Sequence, residues 1–165
     1  IRSKFEITNC LIQKTFADGL DGDFCSGKIS NSTFKETKND CIDFSGSEIQ
    51  IIDCKIYDAG DKAVSGGESS KININNLIIE NANIGIASKD KSVVRITNSK
   101  LSNIKTAYAS FQKKAEYGPA QIIISNSKEQ NIQYKVLLDL NSSLIYNGKK
   151  QTGNKKINHD KLYAL

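Results

Sequence analysis

Ile72-Asn73-Ile74-Asn75-Asn76, followed by Ile79 and then by Ile86, is one copy of a pattern that recurs along the chain. Apolar and polar residues alternate, and an asparagine closes the run. Alternation with period two puts every second side chain on one face of a strand. The pattern returns as Phe5-Glu6-Ile7-Thr8-Asn9, Ile49-Gln50-Ile51-Ile52-Asp53, Val94-Arg95-Ile96-Thr97-Asn98 and Ile122-Ile123-Ile124-Ser125-Asn126. A weaker copy, with Gly27 in the first slot, ends Ile29-Ser30-Asn31. A second apolar column, Ile12, Phe34, Ile56, Ile79 and Leu101, lies three residues after the Asn/Asp column. A third, Leu20, Ile42, Val64, Ile86 and Tyr108, steps by 22 residues every time.

Three short apolar segments per repeat, each with strand periodicity, predict an all-β fold: a right-handed parallel β-helix, a three-sided solenoid of about six coils. Helical repeats would place apolar residues at i, i+3, i+4 and i+7, and these do not. Equivalent residues of successive coils then stack about 4.8 Å apart, Ile on Ile inside. The recurring Asn marks a tight bend, where stacked amides can bond along the axis and satisfy buried turn backbone. Asp53 can serve in that ladder as an acceptor. The solenoid is expected over residues 1–148, and residues 149–165 read as a polar, basic tail or cap that can cross the open end with Ile157, Leu162 and Tyr163. Phe5-Glu6-Ile7 starts almost at once without a cap. This predicts a piece of a longer polypeptide, or contact with another chain at the uncapped N-terminal coil.

Composition narrows the function classes. The 165 residues carry a formal net charge of +5, but the charges of both signs are interspersed. Only Lys149, Lys150, Lys155, Lys156 and Lys161 form a basic excess, which reads as solvated surface, so no nucleic-acid partner is expected. No apolar run reaches membrane-spanning length. Cys10, Cys25, Cys41 and Cys54 match no zinc spacing. They read as buried thiols stacked in a core, with disulfides open if the protein is exported. Cys10 and Cys54 should both point inward, two coils apart and too distant for a direct bridge. His159 is the sole histidine, which argues against Ser-His-Asp or Cys-His chemistry.

The regularity breaks after the third column. Tyr108 and Ile122 are 14 residues apart, where Val64 and Ile72 are eight apart. A loop over about Ser110–Ala120 is therefore expected, carrying Lys113, Lys114, Glu116 and Tyr117. With Ile42, Val64 and Ile86 inward, their neighbours Cys41, Asp43, Ala63, Ser65, Gly85, Ala87, Ala107 and Ala109 are expected to form a flat outer floor of small residues. Charges rim it: Asp40 and Lys62, Asp43 with Ser65, then Glu68 and Asp90 beside Lys89. The bland reading of these charges is an ion-pair cluster joining Asp40, Asp43 and Lys62 on a solvated sheet. The functional reading is a shallow groove with one overhanging loop.

The segments DGLDGD (18–23), NDCIDFSGS (39–47), GDKAVSGGESS (60–70), NIGIASKDKS (83–92) and FQKKAEYG (111–118) resemble right-handed parallel β-helix repeat proteins of the pectate-lyase-like superfamily. The resemblance covers about residues 4–146, and within the superfamily it points to a subgroup found in large bacterial surface or secreted proteins. It implies a secreted or cell-surface, carbohydrate-directed domain that binds or cleaves an acidic polysaccharide on one outer strand face. The alternative is a non-catalytic structural or adhesive segment of a surface protein. If the chain is an enzyme, polysaccharide lyase and glycoside hydrolase are the candidate reactions. The candidate catalytic residues are then Lys62, Asp43 and Lys89. Asp40, Ser65, Glu68, Asp90, Lys113, Lys114 and Tyr117 are the candidate substrate contacts. Asp21 and Asp43, one strand spacing apart, are candidate Ca²⁺ ligands, helped by Asp18, Asp23 or Asp40. The only arginines, Arg2 and Arg95, do not supply the arginine of a pectate-lyase mechanism.

Overall fold

A computed structural model describes residues 1–158. His159, Lys161, Leu162 and Tyr163 lie outside the described residues. The described residues form 14 strands, and all but the last wind as a parallel β-helix. The first coil is β1 (Lys4–Thr8), β2 (Leu11–Gln13) and β3 (Leu20–Asp23). The second is β4 (Ser26–Ser30), β5 (Thr33–Thr37) and β6 (Ile42–Ser45). β7 (Glu48–Gly67) and β8 (Lys71–Lys89) each form a whole coil, bending round the corners without interruption. β9 (Val93–Thr97) with β10 (Lys100–Phe111), and β11 (Gln121–Ser125) with β12 (Lys128–Leu138), make the fifth and sixth. β13 (Ser143–Tyr146) continues the stack, and β14 (Lys149–Thr152) returns antiparallel against it.

The columns read from the sequence are the registers of the fold. Ile49 pairs with Ile72, Ile72 with Val94, Val94 with Ile122 and Ile122 with Leu144. Ile42, Val64, Ile86 and Tyr108 stack in turn and are fully buried. Gly27, the weak copy, has a packing cause. The Phe5 ring lies over it, and a Cβ there would sit 2.6 Å from that ring. Phe5 in turn stacks on Phe44 at 5.7 Å between centroids.

Corners decide how the backbone is satisfied. Asn9, Asn31, Asp53, Asn76, Asn98 and Asn126 all adopt left-handed φ, between 48° and 56°. Asn and Asp tolerate that region best after glycine. Contrary to expectation these residues are exposed, so their amides bond to one another outside rather than rescuing buried backbone. Asn76 Nδ2 donates to Asp53 Oδ1 at 2.7 Å, and Asn126 Nδ2 to Asn98 Oδ1 at 2.6 Å. The buried work is done by serines. Cys25 N donates to Ser47 Oγ, Ser47 N to Ser70 Oγ and Ser70 N to Ser92 Oγ, at 2.9–3.0 Å. A second left-handed column, Lys14, Glu36, Asp58, Asn81, Asn103 and Asn131, makes another corner. All four cysteines are free; Cys25, Cys41 and Cys54 are buried, whereas Cys10 is exposed because it lies in the first coil.

The interior turns polar at the C-terminal end. Glu129 follows Leu101 in an inward column. Its carboxylate accepts hydrogen bonds from the Tyr108 hydroxyl at 2.8 Å and the Tyr146 hydroxyl at 3.0 Å, with Lys135 Nζ at 3.1 Å. Burial, reinforced by Glu129, pushes the Tyr108 phenol far above its ordinary value. Leu162 and Tyr163, expected to cross this end, lie outside the described residues, and the described part of the C-terminal segment ends at residue 158. It folds back along the outside, where Ile157 packs with Leu137 against Ile84, Ala87, Ala109 and Phe111. Asp139 holds it there, accepting from Ile157 N at 2.9 Å and from Gln112 N at 3.2 Å.

Val64→Asp places an uncompensated charge between Ile42 and Ile86. The expected loss of stability is about 3–5 kcal/mol, read by urea denaturation. A loss under about 1 kcal/mol would mean the stack is not dry.

Candidate functional site

The outer side of the third face, formed by β3, β6, the last part of β7, the last part of β8, β10 and β12, collects most of the charges singled out above. Register aligns three outward columns on it. One runs Asp40, Lys62, Ile84, Thr106 and Tyr134; the second runs Asp21, Asp43, Ser65, Ala87, Ala109 and Leu137. The third runs Asp23, Ser45, Gly67 and, further along, Lys89 and Phe111. The face therefore changes character along the axis. It is acidic in the first two coils, carries Lys62 and Lys89 in the third and fourth, and is apolar beneath Ile157 at the far end.

Small residues do not pave this surface as expected. Cys41, Ala63 and Ala107 lie in the core with Ile42, Val64 and Tyr108. Gly85 also faces inward, since a Cβ there would meet the core side chains of Leu101 at 3.0 Å and Ile104 at 3.3 Å. The chain is still turning at this position, so two consecutive residues point inside the corner and strand alternation begins one residue later. Only Asp43, Ser65, Ala87 and Ala109 remain as floor.

The lysines are tied into the wall. Lys62 is 3% exposed; its ammonium donates to Asp40 Oδ1 at 3.2 Å and also contacts Asp61. Asp40 Oδ1 additionally accepts from Lys62 N at 3.1 Å, and one coil earlier Asp18 Oδ1 accepts from Asp40 N at 2.9 Å. These aspartates are corner acceptors as well as charges. Lys89 Nζ lies 3.5 Å from Asp43 Oδ1, so Asp43 pairs with Lys89 and not, as expected, with Lys62. Sequence spacing did not single out Asp61 as the partner of Lys62. Asp61 belongs to an irregularity between Ala59 and Lys62, where β7 carries one residue more than β8.

Three carboxylates converge at the acidic end. Ligand atoms of Asp18, Asp21 and Asp43 all lie within 4.8 Å of one another. Oxygens surrounding one Ca²⁺ at 2.3–2.6 Å have separations of this order, and three carboxylates can supply up to six of its oxygens. Burial first, then the charges of Asp43, Asp23 and Asp18, raise the Asp21 carboxyl. The donor set therefore fits a divalent cation. Next to it, Asp43 Oδ1 and Ser65 Oγ are buried atoms with no hydrogen-bond partner, although the former keeps its charge contact with Lys89.

The expected loop is shorter than its sequence signal. Ser110 and Phe111 are buried in β10, and the excursion spans residues 112–120. Asp90 Oδ1 pins its start, accepting from Lys113 N at 2.6 Å and Lys114 N at 2.7 Å. Lys114 pairs with Glu68, and the Tyr117 hydroxyl donates to Glu68 Oε2 at 3.5 Å. The loop thus reaches back to the third coil and forms a ledge along the edge of the face.

A family model described as "Right handed beta helix region" matches residues 2–156. The chain belongs to that family, a right-handed β-solenoid. No curated protein and no solved structure matches it. Among the described residues no helix is long and apolar enough to cross a membrane.

Burial pushes the Asp40 carboxyl up to about 6, outweighing the opposing pull of Lys62. The folded protein then holds this proton more tightly than the unfolded chain, where the carboxyl keeps its ordinary 3.8. Its contribution to stability is complete below 3.8 and is lost as pH rises through 6. NMR titration of the Asp40 side-chain carbonyl is expected to show a midpoint near 6, and Asp40→Asn should flatten the stability profile between those values. A midpoint near 4 would contradict the burial argument.

Proposed function

We propose that the third face is a binding surface for an acidic polysaccharide, reached through a Ca²⁺ ion held by Asp18, Asp21 and Asp43. The convergence of those three carboxylates carries the reading. An acidic glycan would be repelled by this end of the face unless a cation bridges protein and uronate carboxylates. The buried Ser65 Oγ, which has no hydrogen-bond partner, and Asp43 Oδ1, which has only its charge contact with Lys89, add support, because buried polar atoms ordinarily find a partner. Lys62, Lys89 and the Glu68–Lys114 ledge then line the path of the chain beyond the ion.

Binding without cleavage is the reading that the lysines favour. A base must meet the proton it abstracts, and both Lys62 and Lys89 are buried against carboxylates. A secreted or cell-surface domain that grips a glycan and leaves it intact accounts for this arrangement, and it suits an adhesive segment of a larger surface protein. Calorimetry with oligogalacturonate should show binding in the presence of Ca²⁺ and none after chelation. Asp21→Asn with Asp43→Asn should weaken it by about tenfold or more. Absorbance by unsaturated uronates should not rise. Cation-independent binding would remove the ion from the account, and product formation would restore the lyase.

A further inference from the structure

We propose that a trough beside the third face is a second glycan site, taking a linear neutral oligosaccharide by ring stacking and hydroxyl hydrogen bonds, without a cation. The trough measures about 810 Å³ and runs along the axis from Lys14 to Asn103. That is four coil spacings, roughly 19 Å, and a volume within the range of small-molecule sites.

Its origin lies in the bend entering the third face. In the first three coils this bend contains two residues: Phe16-Ala17, Lys38-Asn39 and Gly60-Asp61. In the next two it contains only Asn83 or Lys105, as the register between Ala59 and Lys62 records. The longer bends flare outward and leave a concave strip. Ala59 and Ala82 lie at its bottom, nearly buried and too short to fill it. Gly60 keeps one wall low for a packing reason, because a Cβ there would lie 2.3 Å from the Lys38 carbonyl oxygen.

The lining chooses the ligand. Phe16, at the N-terminal end of the trough, is 96% exposed. Phe24, also exposed, at least lies over Gly46, where a Cβ would meet its ring at 2.6 Å. A bare aromatic face at the mouth of a trough suits the apolar C–H face of a pyranose ring. The opposite wall is a ladder of exposed polar side chains. Asn81 Nδ2 donates to Asp58 Oδ1 at 2.8 Å, which leaves the second oxygen of Asp58 and the Asn81 amide oxygen to accept sugar hydroxyls. Ladder steps of about 4.8 Å are close to the advance per ring in an extended pyranose chain. Lys14 and Lys38 balance Glu36 and Asp58, so the trough offers no net field to select a polyanion. An extended peptide is a poorer fit, since the strand hydrogen bonds here are consumed in coil stacking.

The chain has no tryptophan, so Phe16→Trp supplies a sole tryptophan, excited selectively over the tyrosines, at the proposed stacking position. It is titrated with cellohexaose, mannohexaose and chitohexaose in EDTA, which silences the cation-dependent surface. At least one sugar should shift the emission saturably, bind the unmodified chain by calorimetry, and lose about tenfold in affinity with Phe16→Ala. Phe16 packs against nothing, so both variants should fold. Absence of any sugar response, unchanged affinity in Phe16→Ala, or equal saturation by an extended octapeptide would overturn the proposal. Failure of calcium-dependent oligogalacturonate binding would leave it standing.

Discussion

Amides at the corners take their acceptors from a neighbouring coil, and this requirement holds the solenoid in register. Asn9 N reaches Ser30 O, Asn31 N reaches Ile52 O, and Cys41 N reaches Lys62 O. At Cys25 and Ser47 a serine hydroxyl of the next coil accepts instead, and at Ser70 it shares the amide with the Gly67 carbonyl. A buried amide without such a partner costs about 1–3 kcal/mol, and each coil repeats the demand at every corner. Isoleucine stacking supplies the hydrophobic drive, but any slip that preserved apolar contact would orphan these donors.

That constraint explains what was legible in the sequence. The 22-residue columns, the inward Ile42, Val64 and Ile86, and the tight bend at the Asn column follow from periodicity alone, because identical surroundings select similar residues in each coil. Less regular positions escaped. The second left-handed corner begins with Lys14 and Glu36, neither of which signals that conformation, and so it was not foreseen. Cys41, Ala63 and Ala107 were misplaced because alternation counts from a strand's start, and the turn extends one residue into it.

The trough illustrates a subtler loss. From the first corner to the third face the step is nine in Asn9–Asp18, Asn31–Asp40 and Asp53–Lys62, but eight in Asn76–Ile84 and Asn98–Thr106. From the third coil onward the following turn gains a residue, so the third column still steps by 22. A residue moved from one corner to another leaves the repeat length untouched while it reshapes the surface. Comparing corner-to-strand spacings, and not only column-to-column steps, would have exposed it. Charge assignment failed differently. Lys62 was expected to balance Asp43, yet Asp61 in the longer bend takes that lysine and leaves Asp43 to Lys89. Asp18, whose Oδ1 accepts from Asp40 N, and Asp21 are the carboxylates that, with Asp43, the proposed ion would join.

Native-state hydrogen exchange at the corners tests the register account most directly. If coil-to-coil acceptors hold the structure, the amides of Cys25, Ser47 and Ser70 exchange as slowly as the strand amides of Ile51 and Ile74. Ser70→Ala then accelerates Ser47 selectively, because it removes that amide's acceptor while leaving the stacked isoleucines in place. Corner amides that exchange freely in the unmodified protein, or a Ser47 amide indifferent to Ser70→Ala, would contradict it.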